Sequence, residues 1–331
     1  TDVRWVSLLY PIALGRMRMP GDILEGIAKY PNHGDQRSVR PSIRAMEMSV
    51  TAMSPDGGPA WNEEFWKECL DKTHCTPVLP PSEDEERHDR KDLFKAISEM
   101  HAALVEHWFS TLTTTGVDAK HDGSYGFAFY ALSLITEMCV SLNFSSISGR
   151  LLLRTLAECR ITLAYLAAEN DAALWEKYRS YGSGQAKLAL LKLEKLGKDV
   201  PSHISESVLE TLSNEDYFQE YLNIELGSWS GKDLRKMSES CETKDIYDSY
   251  FGWTSNFVHG HWGAQRDCCM AHCLNPLHRL HRVPLPGHRI LENALPDGVE
   301  LVNGILDSLS TLYPGFSDRL SIKPADDDAP E

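Results

Sequence analysis

Residues 147–167, ISGRLLLRTLAECRITLAYLA, decide the fold. On a helical net at about 100° per residue, Leu151, Arg154, Glu158, Ile161 and Tyr165 share one stripe. Leu152, Leu156, Cys159 and Leu163 share the opposite one. A helix that is apolar all round is buried all round, so the pattern predicts the central helix of a bundle. Its inward stripe nevertheless carries Arg154 and Glu158 at i, i+4. Burying such a pair costs several kcal/mol per charge unless both groups are fully hydrogen-bonded, and it adds little net stability. Something other than stability is therefore expected to maintain it.

The natural partner of that stripe lies a hundred residues on. In residues 247–266, YDSYFGWTSNFVHGHWGAQR, the residues Asp248, Gly252, Ser255, His259, Gly263 and Arg266 line up as small and polar positions. Phe251, Trp253, Phe257 and Trp262 flank them. A narrow polar seam between aromatics suits close approach by another helix or a ligand. Packed on the Arg154 stripe, it predicts a buried cluster of Arg154, Glu158, Ser255 and His259 whose proton affinities are set by burial and by one another. As a catalytic set, His259 is the acid/base, Arg154 stabilises an anion or transition state, and Glu158 and Ser255 orient them. As a structural set, His259 is a satisfied core histidine and Arg154–Glu158 an ion pair that fixes helix register.

Outward from these stretches, helical spacing recurs. Leu93, Ile97, Met100, Leu104, Trp108 and Leu112 mark one helix, which the run TTTG at 113–116 ends. Residues 125–143 form a second, with Tyr130, Leu134, Glu137 and Val140 along one line. Further helices are read over 170–196, with Asp171 near the cap, in short pieces over 202–226, over 244–274 with a break near the glycines, and over 297–313. The predicted fold class is all-α, a bundle of about six to eight helices. The domain reading is an irregular N-terminal segment with a short helix over 1–90, a helical bundle over 91–313, and an acidic, disordered tail over 314–331. Short strands or extended arms are open at Arg4–Leu9 and Ala45–Met53, Arg37, Arg40 and Arg44 read as a solvated arm in preference to a contact for a partner chain or an anionic ligand, and residues 61–72 begin like a capped helix. The proline-rich, then charged run TPVLPPSEDEERHDRKD at 76–92 is the expected boundary.

Bulk properties narrow the function. A formal net charge of −15 disfavours broad nucleic-acid binding, though not a small basic pocket for a nucleotide or one phosphate. No run approaches the ~20 apolar residues of a membrane span, and no signal peptide is visible. Eight scattered cysteines, two of them inside apolar helices, point to free thiols and a cytoplasmic location. Dinucleotide, P-loop, zincin and α/β-hydrolase motifs are absent, as are paired Glu-x-x-His motifs of a di-iron bundle.

The combination RLLLRTLAECRITLAYLA, WEKYRSYG and YFGWTSNFVHGHW resembles a bacterial all-helical family of unknown function over residues 92–275. That resemblance implies an arginine and glutamate on a core helix with a Ser…His pair on a later one. A second resemblance is to the HEPN superfamily of helical nucleases, through TSNFVHG at 254–260, which matches the His and Gly of its Arg-polar-x3-His element. Thr254 stands in the place of the catalytic arginine, so RNA cleavage would draw on another, Arg154.

The run from His259 to His288 is rich in His and Cys. On one helix, Cys268 and His272, and Cys269 and Cys273, would be i, i+4, with His278, His281 and His288 completing a tetrahedral site. No CxxC pair is present, and Cys and Met packing accounts for 268–273, so the expectation is no metal and no cofactor. Two function classes remain: a HEPN-like defence or stress protein acting on RNA or a nucleotide, and a non-catalytic interaction or oligomerisation module that binds another protein or a second copy. No membrane partner is expected.

Overall fold

The computed structural model describes residues 2–15, 17–30, 39–52, 61–78, 90–140, 143–196, 201–213, 228–279, 281–285, 287 and 289–322. The chain forms two compact units: an N-terminal unit of residues 1–81 with 266–289, and a helical unit of residues 82–265 with 290–331. Helix dominates both, and the all-α class holds.

The N-terminal unit contains α1 (Asp2–Ala13), α2 (Gly21–Lys29), α3 (Val39–Ala52) and α4 (Trp61–Lys72). Where the sequence suggested irregular chain and short strands, the structure has helices. Trp5, Leu8, Leu9 and Ile12 follow the i, i+3, i+4, i+7 spacing of one helical face, and a six-residue window is too short to separate that from alternation. Leu8, Tyr30 and Ile43 are buried together against Trp5, Met17 and Met46. The indole Nε1–H of Trp5 donates to the Ile27 carbonyl at 2.6 Å. The unit also holds an antiparallel pair, β1 (Met270–His272) and β2 (Arg282–Pro284), with Ala271 opposite Val283. Pro77 bridges to Cys273 beside it.

The helical unit runs α5 (Arg90–Thr111), α6 (Ala119–Val140), a 3₁₀ turn at Asn143–Ser145, α7 (Ile147–Glu169), α8 (Ala172–Leu196), α9 (Glu206–Ser213), α10 (Leu234–Ser240) and α11 (Lys244–Ile246). A π-helical turn at Tyr247–Phe251 leads into α12 (Gly252–Val258), α13 (Trp262–Cys269) and finally α14 (Leu295–Leu312). The quoted stretch is α7, packed between α6, α14 and the α10–α12 segment. Asn170 in the left-handed conformation stops it, its N–H donating to the Leu166 carbonyl at 3.0 Å. Asp171 then opens α8 by accepting from the Ala173 N–H at 2.9 Å.

Close approach between helices depends on two glycines of α14. A β-carbon at Gly298 would sit 2.8 Å from Ile135 of α6, and one at Gly304 would fall inside the Arg160 guanidinium of α7. Leu156, Leu163, Val302, Ile305 and Leu309 fill the core between them. The segment after α14 continues this core: Phe316 and Leu320 are buried, and the Asn303 amide brackets Leu320 with two backbone hydrogen bonds of 2.9 Å. The tail expected from 314 thus starts as packed chain, while residues 323–331 lie outside the described residues. Among the described residues, no helix is long and apolar enough to cross a membrane.

Candidate functional site

Arg154 lies in the first half of α7, a helix against which α12 and the π turn pack. A π turn holds one extra residue, which re-aims the side chains it carries. Here it stacks Tyr247 on Phe251 at 4.7 Å between ring centroids and brings the Phe251 face under Arg154, with the guanidinium carbon 3.5 Å from the ring centre. Arg154 Nη1 donates to Glu158 Oε2 at 2.5 Å, and Nε donates to Ser255 Oγ at 3.3 Å. The structure therefore brings together three of the four predicted residues.

Two expectations are corrected. The Arg154–Glu158 pair is not buried: its side chains are 13% and 51% exposed, and Leu151 at the head of the stripe is also exposed. Only the lower half of that stripe, Ile161 and Tyr165, reaches the interior, where it packs on Met237. The first turns of α7 turn a different face inward, with Gly149, Arg150 and Leu153 buried, which the helical net of a single segment does not encode. His259 does not join the cluster either. It closes α12 one turn beyond Ser255, its N–H donating to the Ser255 carbonyl at 3.1 Å, and Gly260, at φ 59°, turns the chain away. The exposed His259 ring stacks on His261 at 5.5 Å instead.

Ser255 has one proton, and it donates this to the Phe251 carbonyl at 2.7 Å. Its lone pair then faces a cation rather than a base. That arrangement holds an arginine in place and does not activate a nucleophile. Thr254 is likewise turned inward to donate to the Tyr250 carbonyl. Glu137 is exposed and belongs to a different groove, with His101, Ser133 and Thr136.

Two other arginines of α7 escaped the stripe argument. Arg150 is buried and donates through Nη2 to the carbonyl of Glu292 at 2.8 Å and to its carboxylate at 2.9 Å. Arg160 bonds Ser308 and edges a cavity of about 510 Å³ with Glu300, Asn303 and Asp307. Burial holds its pKa below the usual arginine value, against the pull of Asp307. Neighbouring Cys159 faces the core, and burial pushes its thiol up to about 12. At the far end of the core, His121 is 1% exposed and meets Thr111 Oγ1 at 3.1 Å; Tyr125 reaches Thr111 at 2.8 Å and His107 at 2.6 Å. Only their recurrence at helical spacing across TTTG could have hinted at this group.

The His/Cys run also differs from expectation. α13 stops at Cys269 and the chain becomes β1, so the i, i+4 pairs Cys268/His272 and Cys269/Cys273 do not share a helical face. The hairpin turns Cys273 inward while leaving His272 exposed. Cys273, His278 and His281 do meet, and they are joined by Cys75, which the sequence assigned to no site. His288 lies outside the described residues. None of the eight cysteines forms a disulfide.

Residues 130–268 match a family of unknown function (DUF5677). The DUF5677-like stretch runs from the middle of α6 into α13, so it includes Arg154, Glu158, Ser255 and His259. No curated protein matches the chain, and no solved structure does.

Proposed function

We propose that the helical unit is a non-catalytic protein-interaction module in which the Arg154 cluster is a structural lock. The observation that carries this reading is how Arg154 is held: one face on Phe251, Nε on Ser255 and Nη1 on Glu158, with His259 turned out of reach. An acid/base group aimed away from the only arginine of the cluster does not assemble the acid, base and anion stabiliser of an RNA-cleaving site.

The surface that would take a partner is the edge formed by the end of α12 and the start of α13. There is no Asp, Glu, Lys or Arg between Asp248 and Arg266, in a chain that is 24% charged. Trp253, Val258 and Trp262 are 47%, 48% and 56% exposed, beside the stacked His259 and His261. Exposed tryptophans on an uncharged edge suit a protein contact. A second copy fits best, because an isologous contact there sets no acidic groups of a −15 chain against each other.

Sedimentation velocity of the full chain tests this. Self-association that Trp253→Ser with Trp262→Ser abolishes is the expected result; a monomer at all concentrations overturns the self-contact. Hydrolysis of RNA or nucleotide that His259→Ala removes would overturn the non-catalytic reading itself.

A further inference from the structure

We propose that Cys75, Cys273, His278 and His281 form a closed, four-ligand site for zinc within the N-terminal unit. The four donor atoms all lie within 4.8 Å of one another. Cys75 Sγ is 3.5 Å from His278 Nδ1 and 3.3 Å from His281 Nε2. Cys273 Sγ is 3.4 Å from His278 Nδ1, and the two imidazole nitrogens are 3.2 Å apart. A regular tetrahedron with Zn–S of about 2.3 Å and Zn–N of about 2.0–2.1 Å has S–N edges of roughly 3.5 Å and N–N edges of roughly 3.3 Å. The observed spacings are those edges.

Hydrogen bonding among the four does not account for the convergence. A neutral imidazole nitrogen has one lone pair and accepts one hydrogen bond, yet His278 Nδ1 has three donor-type atoms within 3.5 Å. A shared cation draws all four lone pairs inward at once.

The surroundings also prepare the ligands. Thr73 Oγ1 gives its only proton to the Cys69 carbonyl at 2.7 Å, so toward His278 Nε2, 2.8 Å away, it can only accept. That puts the imidazole proton on Nε2 and leaves Nδ1 as a lone pair facing the cluster, the tautomer a metal ligand needs. The Asn275 amide holds Thr73 from the other side at 3.0 Å. Thr76 N–H donates to Cys273 Sγ at 3.3 Å, an interaction that favours thiolate. The Pro77–Cys273 bridge and the Cys273 N–H to His281 carbonyl bond of 2.9 Å fix the backbone on both sides.

Cys75 follows α4, while the other three ligands surround the hairpin, 198 residues later. Four protein ligands leave no open position, so the metal's role is structural: it clamps the end of α4 to β1 and β2. Binding deprotonates two thiols and releases up to two protons, giving a neutral dithiolate–diimidazole centre.

The experiment is metal analysis of the full chain with Zn²⁺ and Co²⁺. The expected result is about one zinc per chain and, for the cobalt form, the intense visible bands of tetrahedral sulfur and nitrogen coordination. Cys75→Ala, at an exposed position, should abolish both, and His281→Ala likewise. Cys268→Ser and Cys269→Ser should retain both. Thr73→Val should weaken zinc about 10–100-fold while keeping the cobalt spectrum tetrahedral. The proposal is overturned if cobalt gives only the pale six-coordinate spectrum, if zinc content is indifferent to Cys75→Ala, or if unreduced protein yields a Cys75–Cys273 disulfide without metal.

Discussion

The two polar clusters of this molecule make a useful contrast. Around Arg154, donors meet acceptors: guanidinium to carboxylate, guanidinium to hydroxyl, hydroxyl to carbonyl. Around His278, two sulfurs and two imidazole nitrogens converge from the chain after α4 and from the hairpin, and three donor-type atoms crowd the single lone pair of His278 Nδ1. The first cluster is complete as it stands, so its presence in a core-flanking helix argues for register and not for chemistry. The second is complete only around a cation. Residue type alone pointed the other way, because an Arg/Glu/Ser/His set looks reactive and a cysteine run next to methionine looks like packing. What separates them is the direction of each lone pair and proton.

The sharpest way to break this contrast is to remove metal from the N-terminal unit. At free zinc one hundred times Kd, linkage adds about 2.7 kcal/mol to folding. Chelation should therefore lower the melting temperature and speed amide exchange in residues 61–78 and 266–285, leaving α6, α7 and α14 protected. Loss of protection spread evenly over both units would contradict a local clamp.

Next in size, Arg150→Met removes a buried guanidinium that bonds the carbonyl and carboxylate of Glu292 and should cost roughly 1–3 kcal/mol in urea denaturation, more than any change at Arg154. Arg154→Ala removes a cation–π contact and packing over Phe251, and should cost about 1 kcal/mol. It cannot strand Glu158, which is half exposed. Glu158→Gln should lie within about 0.5 kcal/mol, as for other surface pairs. A larger loss for Glu158→Gln than for Arg150→Met would reverse the assignment of which arginine is structural.

Alkaline pH gives a gentler probe of the helical unit. Cys159, Tyr178, Tyr250 and Tyr313 all have proton affinities raised chiefly by burial, Cys159 to about 12 from an unfolded value near 9.0. A group whose folded pKa is the higher one contributes its full stability below the unfolded pKa and loses it as pH rises through the folded one. Melting temperature should thus fall steadily above pH about 9, and Cys159→Ala should flatten the first part of that fall. The smallest effect belongs to His259→Ala, which should leave the melting temperature unchanged because its ring is exposed.

Much of the helical unit was legible because its signals are local. The 147–167 stripe became α7, Asp171 does open α8, and the predicted 297–313 helix is α14 within two residues. The pairing of 154 with 255 also followed from sequence, since a charged pair on the 147–167 stripe and a small, polar stripe on 247–266 both recur at helical spacing. Less was legible where spacing was ambiguous or short. The 61–72 helix was read and is α4, but the three helices before it were missed because glycine and proline break their periodicity into pieces. The end of α13 at Cys269 was missed because Cys, Met and Ala carry no stop signal.

Sequence by itself determined the helical class, the central helix and the contact between the Arg154 and Ser255 segments, because each depends on periodicity within a few turns. Tertiary structure alone decided which face of α7 is wet, where His259 points, and that Cys75 meets His278 and His281. Those depend on which elements pack against α7, on a left-handed glycine at 260, and on chain segments nearly two hundred residues apart, none of which leaves a trace in local spacing.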